Sequence, residues 1–221
     1  MDIDISPILE SWRFLLSGLE VTLLLSLLTV LCSLVLGTAV GLARCYGPAW
    51  LRVPLVFYID SMRAIPVLVV LVWTYFALPL VTGLTLPPFW AALTALSAHI
   101  AAYVAEIIRA GVNSVRPGQT RASLALGMSR VQVVREIVLP QAIVRMLPAF
   151  GSILSITIKD TAISTVIAVP DYMNHSQTLA GQSFRPIEIF ALAAIVYFLM
   201  LFPVTRLVDI AYRRLAHLGQ S

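Results

Sequence analysis

The chain has 221 residues, 59% of them hydrophobic and only 12% charged, with a mean hydropathy of +0.92. A soluble domain averages about half apolar and about a quarter charged, so a water-soluble fold, a disordered chain and a soluble nucleic-acid binder are excluded. The formal charge of +4 comes from 15 basic and 11 acidic side chains, and Lys159 is the only lysine.

The first segment, residues 1–20, carries Asp2, Asp4 and Glu10 against Arg13. That is the wrong sign for a secretory signal peptide. Trp12, Phe14, Leu15 and Leu16 predict a short amphipathic helix lying at the outer interface. A membrane-crossing helix needs about twenty apolar residues, and residues 21–43 supply the first, uncharged between Glu20 and Arg44. Gly37 and Gly41 form a small-xxx-small ridge on it, which lets a second helix approach closely. No charge occurs from Ala64 to Ala105, room for two spans at 64–82 and 88–105, with Pro87-Pro88 at the turn. The fourth span, 146–170, is interrupted by Lys159-Asp160, and the fifth, 189–205, ends at Arg206. Trp50 and Trp90 fit interface anchors. Two cysteines, Cys32 and Cys45, make no disulfide framework and read as small apolar fillers. The expected fold class is an all-α membrane protein with five transmembrane helices.

Arginine placement orients these spans. Arg44, Arg52 and Arg63 lie between spans one and two, six arginines from Arg109 to Arg145 lie between spans three and four, and Arg206, Arg213 and Arg214 lie in the tail. The intervening segments hold only Arg13 and Arg185. The N-terminus is therefore expected outside and the C-terminus in the cytoplasm, as an odd number of spans requires.

The long segment 106–145 is patterned. After Pro117-Gly118, the spacing of Ala122, Ala125 and Leu126 predicts a short helix. Gly127 fits its stop, where positive φ is cheap. Ser129 and Gln132 read as a capping box opening the next helix, whose apolar stripe is Val131, Val134 and Val138. Pro140 either ends that helix or begins the following one. The expected shape is helix, sharp turn, helix, with Ala122, Ser123 and Ala125 as a low ridge for a partner; a solvated connection is the other reading of the spacing.

At these residues a family resemblance becomes specific. The run Gly118-Gln-Thr-Arg-Ala-Ser-Leu-Ala-Leu-Gly127, followed after nine residues by Ile137-Val-Leu139-Pro140, resembles the EAA loop of ATP-binding-cassette (ABC) importer permeases. Arg63-Ala-Ile-Pro66, Tyr103-Val-Ala-Glu-Ile-Ile-Arg-Ala-Gly111 and Lys159-Asp-Thr-Ala-Ile163 are similar to the polar amino-acid branch, the histidine, glutamine and glutamate permeases. The resemblance runs over roughly residues 18–215. It implies a type I importer permease fold in the bacterial inner membrane, with no ATPase motif of its own. The implied partners are a dimer of ATPase subunits that bind ATP and Mg, a second permease chain, the same or homologous, and an extracytoplasmic substrate-binding protein. Gly118, Arg121, Ala122, Ser123, Leu126, Gly127, Met128, Ile137, Leu139 and Pro140 are then the ATPase-coupling residues. Here the family's Glu falls on Arg121 and its second Ala on Ser123, inverting the charge at that contact.

Ionisable groups at membrane depth are costly and face protein or water. Lys159 and Asp160, with the hydroxyls of Thr161 and Ser164, either line a path for an amino-acid zwitterion or fix span four against its neighbours. His99 and Tyr103 line the path or pack. Arg63 with Pro66 gates the inner end of span two or anchors it at the interface. Glu106 and Arg109, three apart, are expected to pair locally, with gating secondary. The segment from Asp171 to Glu188, with His175, Gln177, Gln182 and Arg185, is expected outside as a polar loop that could meet the binding protein.

Other functions fit less well. His99, His175 and His217 lack metal-ligand spacing, and neither HExxH nor GxSxG occurs. A secondary transporter would carry an internal repeat, which five spans do not divide into. A purely structural subunit leaves the patterned loop unexplained. No Walker A loop occurs, so energy must come from a partner. The motifs leave open which polar amino acid, or related compound such as an opine, is carried.

Overall fold

The computed structural model describes residues 4–215, with Asp2 and His217 outside that range. The described residues are a succession of helices with no strand. Helix α1 is Ser6–Glu10 and α2 is Trp12–Tyr46, unbroken over 35 residues. Trp12, Phe14, Leu15 and Leu16 are thus the opening turns of the first membrane helix rather than a separate interfacial helix. No proline lies between Trp12 and Tyr46, so nothing interrupts the hydrogen-bond ladder.

Helices α3 (Ala49–Ala64) and α4 (Val67–Thr82) meet at a bend of 108°. Pro66 causes it: the ring removes an N–H and forces the preceding residue out of the helical region, and Ile65 is extended at φ −85°, ψ 132°. The expected span 64–82 is therefore α4 alone, preceded by a helical arm. Helix α5 (Pro88–Asn113) starts after Pro87, as the Pro-Pro turn predicted. Then come α6 (Pro117–Ala125), α7 (Arg130–Ile167), α8 (Tyr172–Ser183) and α9 (Pro186–Leu215).

Helices α2, α5, α7 and α9 are each long and apolar enough to cross a membrane, and the bent pair α3–α4 makes a fifth span if it is taken as one. The chain is a multi-pass membrane protein. Helix α5 is the buried centre, with alanines 91, 92, 95, 101, 102 and 105 all buried. On α2, a Cβ added at Gly37 would lie 2.5 Å from the Val104 Cβ, and one at Gly41 would lie 2.8 Å from the Ile108 Cβ. The glycine ridge read from the sequence is thus the seam that brings α2 against α5.

Three apolar clusters follow. Leu25, Leu71 and Leu96 join α2, α4 and α5. Val104, Ile108, Val138 and Met146 join α5 to α7. Leu15, Leu179 and Ile189 join the start of α2 to α8 and α9.

Candidate functional site

Helix α6 ends in a Schellman motif. Gly127 is left-handed at φ +82°. Its N–H donates to Leu124 O at 3.0 Å, and Met128 N donates to Ser123 O at 3.2 Å. The next turn carries the expected capping box: Gln132 N donates to Ser129 Oγ at 3.3 Å, and Ser129 N donates to Gln132 Oε1 at 2.8 Å. Two consecutive caps make the sharp corner.

Gly118, Arg121, Ala122, Leu126, Gly127, Leu139 and Pro140 are exposed there, Leu126 at 84%. Ser123 is buried, and its Oγ donates to Gln119 O at 2.8 Å. Met128 and Ile137 are half-buried. The ridge open to a partner is therefore Ala122, Ala125 and Leu126, without Ser123.

The stripe of the following helix also differs. Val131 is 75% exposed, whereas Val133 and Val138 are buried. A π turn over Val133–Val138 is the reason. Its five-residue hydrogen-bond spacing brings Val133 and Val138 to one face and breaks the 3.6-residue phase on which the expectation rested.

Two adjoining cavities lie beside α5. The first, about 430 Å³, is lined by Arg63, Pro66, His99, Tyr103 and Asp160 among others. The second, about 290 Å³, shares Arg63 and Tyr103 and continues past Glu106 to Arg145. Helix α5 places His99, Tyr103 and Glu106 within two turns on one side, and the Pro66 break brings Arg63 opposite. The Arg63 guanidinium lies 5.6 Å from the Tyr103 ring centroid, a cation–π arrangement. His99 is buried against Tyr103 at 5.3 Å between ring centroids, and its Nδ1 has no hydrogen-bond partner among the described residues. Glu106 accepts from Arg44 at 2.7 Å and from Arg109 Nε at 3.0 Å. Local pairing with Arg109 is as expected, and Arg44 adds a tie to α2. The two cavities thus bring two carboxylates, an imidazole, a phenol and guanidinium groups along one side of α5.

A family model described as a binding-protein-dependent transport system inner membrane component matches residues 33–217. The chain belongs to that family. The permease is 37% identical over 218 residues to the glutamine transport system permease protein GlnP of Escherichia coli (strain K12), covering 97% of each chain. It is 33% identical over 208 residues to the arginine transport system permease protein ArtQ of Bacillus subtilis (strain 168), covering 93% of this chain and 94% of that one. A crystal structure of an amino acid ABC transporter with histidines superposes with a TM-score of 0.90 at 32% identity, over 97% of this chain and 100% of that one. An inward-facing MetNI methionine ABC transporter shares the fold at TM-score 0.79 and 18% identity, over 93% of this chain and 98% of that one. The permease has the ABC importer permease fold that the order of motifs implied.

Not every path residue read from the permease sequence joins the cavities. Adjacent helical residues diverge by about 100°. Lys159 accordingly turns away from Asp160 into a groove between α7 and α9 that also contains Asp209. Thr161 is buried and donates to its own helix at Ile158 O, 2.8 Å away. Ser164 is fully buried in packing and lines neither cavity. The segment expected as a polar loop is helix α8, folded against the start of α2: His175 is buried, stacked on Phe14 at 3.8 Å, with Nδ1 2.7 Å from Phe14 O.

The sequence reading missed Asp171, which is fully buried. Its Oδ1 caps α8 by accepting from Asn174 N at 2.8 Å, and its Oδ2 has no partner among the described residues. Burial pushes this carboxyl up to about 7. An N-cap aspartate before a polar run was the available signal.

Proposed function

We propose that this permease carries a polar amino acid, or a close relative such as an opine, inward across the bacterial cytoplasmic membrane. The observation that carries the reading is the pair of cavities from Asp160 to Arg145 along α5, with the exposed helix α6 beyond their Arg145 end. A polar amino acid presents an ammonium and a carboxylate; Asp160 is suited to the first and Arg63 to the second, with His99 and Tyr103 lining the same cavity. Relatives that bear the names of glutamine and arginine transport permeases support this substrate class.

In this reading the N-terminus lies outside and the arginine-rich end faces the cytoplasm. A dimer of ATPase subunits binds ATP and Mg there and receives the corner around Gly118, Arg121, Ala122, Leu126 and Gly127. Leu139 and Pro140 lie exposed just beyond that corner. Ser123, Met128 and Ile137 support it from within. A second permease chain completes the path, and a substrate-binding protein delivers from outside. Closure of the ATPases displaces the corner, and the spans tilt as rigid bodies between outward and inward states. Glu106, held by two arginines, ties α2 to the inner part of α5 during that motion.

Reconstitution with the ATPase and binding protein that co-purify tests this, by uptake of a panel of labelled amino acids. ATP-dependent accumulation of one polar class is expected. Absence of any bound ATPase, or accumulation without ATP, would overturn it.

A further inference from the structure

A separate cavity of about 300 Å³ lies where the last turn of α2, the first turns of α3 and the last turns of α5 meet; Arg44, Arg52, Arg109 and Asn113 line it. Three arginines thus line one cavity, and Glu106 is the carboxylate that pairs with two of them. That carboxylate is already engaged: Oε2 takes Arg44 Nη1 at 2.7 Å and Oε1 takes Arg109 through Nε and Nη2. Each guanidinium has five N–H donors, so Arg44 and Arg109 are held in place with donors to spare. Arg52 is exposed and has no ion pair or hydrogen bond among the described residues. The cluster keeps a formal excess of two positive charges.

The cavity sits at the ends of membrane helices, beside an apolar stripe. Val56 lines it, and on the adjoining side of α3 Trp50, Val53 and Phe57 are each 74% exposed. A water-soluble anion would use the guanidinium groups alone. A ligand that uses both surfaces has a phosphate at one end and hydrocarbon at the other. Basic pockets between membrane helices at one interface suit such headgroups.

We propose that this cavity holds the headgroup of an anionic phospholipid, its phosphodiester on Arg44, Arg52 and Arg109 and its acyl chains along Trp50, Val53 and Phe57. The lipid ties α2, α3 and α5 together at the arginine-rich end and makes the permease selective for anionic over zwitterionic lipid.

The full chain in neutral detergent is titrated separately with phosphatidylglycerol, phosphatidylcholine and inorganic phosphate, and bound species are counted by native mass spectrometry. One phosphatidylglycerol is expected to be retained in preference to phosphatidylcholine. Arg52→Gln weakens it about fivefold, since one interfacial arginine contributes on that scale. Arg52→Lys retains most of the binding, and Arg13→Gln, at the other end of α2, leaves it unchanged. Equal binding of the two lipids, or unaltered binding by Arg52→Gln, overturns the proposal. Displacement of the lipid by equimolar inorganic phosphate overturns it too, and assigns the cavity to a free anion.

Discussion

Asp171 shows how one side chain sets a condition on the fold. A carboxyl buried with one oxygen unpartnered disfavours its ionised form, which is why it titrates at about 7 instead of 3.8. The folded state holds that proton over a range where the unfolded chain has lost it. The contribution of Asp171 to stability is therefore full below about pH 4, declines through the interval to pH 7, and is flat above it. The span of that interval bounds the loss at roughly 4 kcal/mol. Asn is as good a helix N-cap as Asp, so Asp171→Asn keeps the bond to Asn174 N and removes the charge. Thermal unfolding in detergent at pH 5 and pH 8 checks this. The parent should lose stability between the two values and the variant should lose much less; parallel profiles would show that the buried carboxyl is not responsible. Nothing in the local sequence marks Asp171 as buried: the adjoining Tyr172 N–H donates to Thr22 Oγ1 at 2.9 Å, a contact with α2 across 150 residues of chain.

Among elements, those set by local chemistry were legible in the sequence. The caps of α6 and α7 follow from Gly127, Ser129 and Gln132, and the glycine seam of α2 follows from Gly37 and Gly41. Features set by tertiary packing were not. The π turn at Val133–Val138 reverses the exposure of Val131 and Val133, and periodicity read at 3.6 residues cannot register it. The five path candidates that line the larger cavity, Arg63, Pro66, His99, Tyr103 and Asp160, were named from the sequence, but their meeting across α3, α5, α7 and the Pro66 break was not legible there. The α2–α5 seam yields a prediction whose sign is diagnostic. Replacing a helical Gly by Ala ordinarily stabilises by about 1 kcal/mol, and Gly181 in α8, whose added Cβ would meet open space, should follow that rule. Gly37→Ala should instead destabilise by roughly 1–3 kcal/mol, because its Cβ would fall 2.6 Å from Ala101 O as well as on Val104. Melting temperatures of the two variants in detergent compare them; a stabilised Gly37→Ala would mean that the helices are not in close contact.

At the scale of the whole molecule, the permease is a pair of cavities joined to a corner. The cavities lie beside α5, the most buried of the membrane-length helices. The corner projects from the arginine-rich end on two caps, and its apolar side chains, Leu126 above all, are exposed among the described residues. That uncovered ridge is what a nucleotide-driven partner would hold. Arg121, where the family carries Glu, reverses the charge presented beside it. A Cβ at Gly127 meets nothing within 4 Å among the described residues. Aspartate is among the residues that tolerate a left-handed backbone, at a cost of about 1–2 kcal/mol. Gly127→Asp is therefore expected to leave the permease folded and to alter chiefly the exposed face of the corner. The decisive measurement is ATP hydrolysis and substrate uptake, followed together in proteoliposomes holding the assembled transporter with either the parent chain or Gly127→Asp. The expected result is an intact assembly that hydrolyses ATP and no longer accumulates substrate. Normal uptake by that variant would contradict the coupling of this corner to the path.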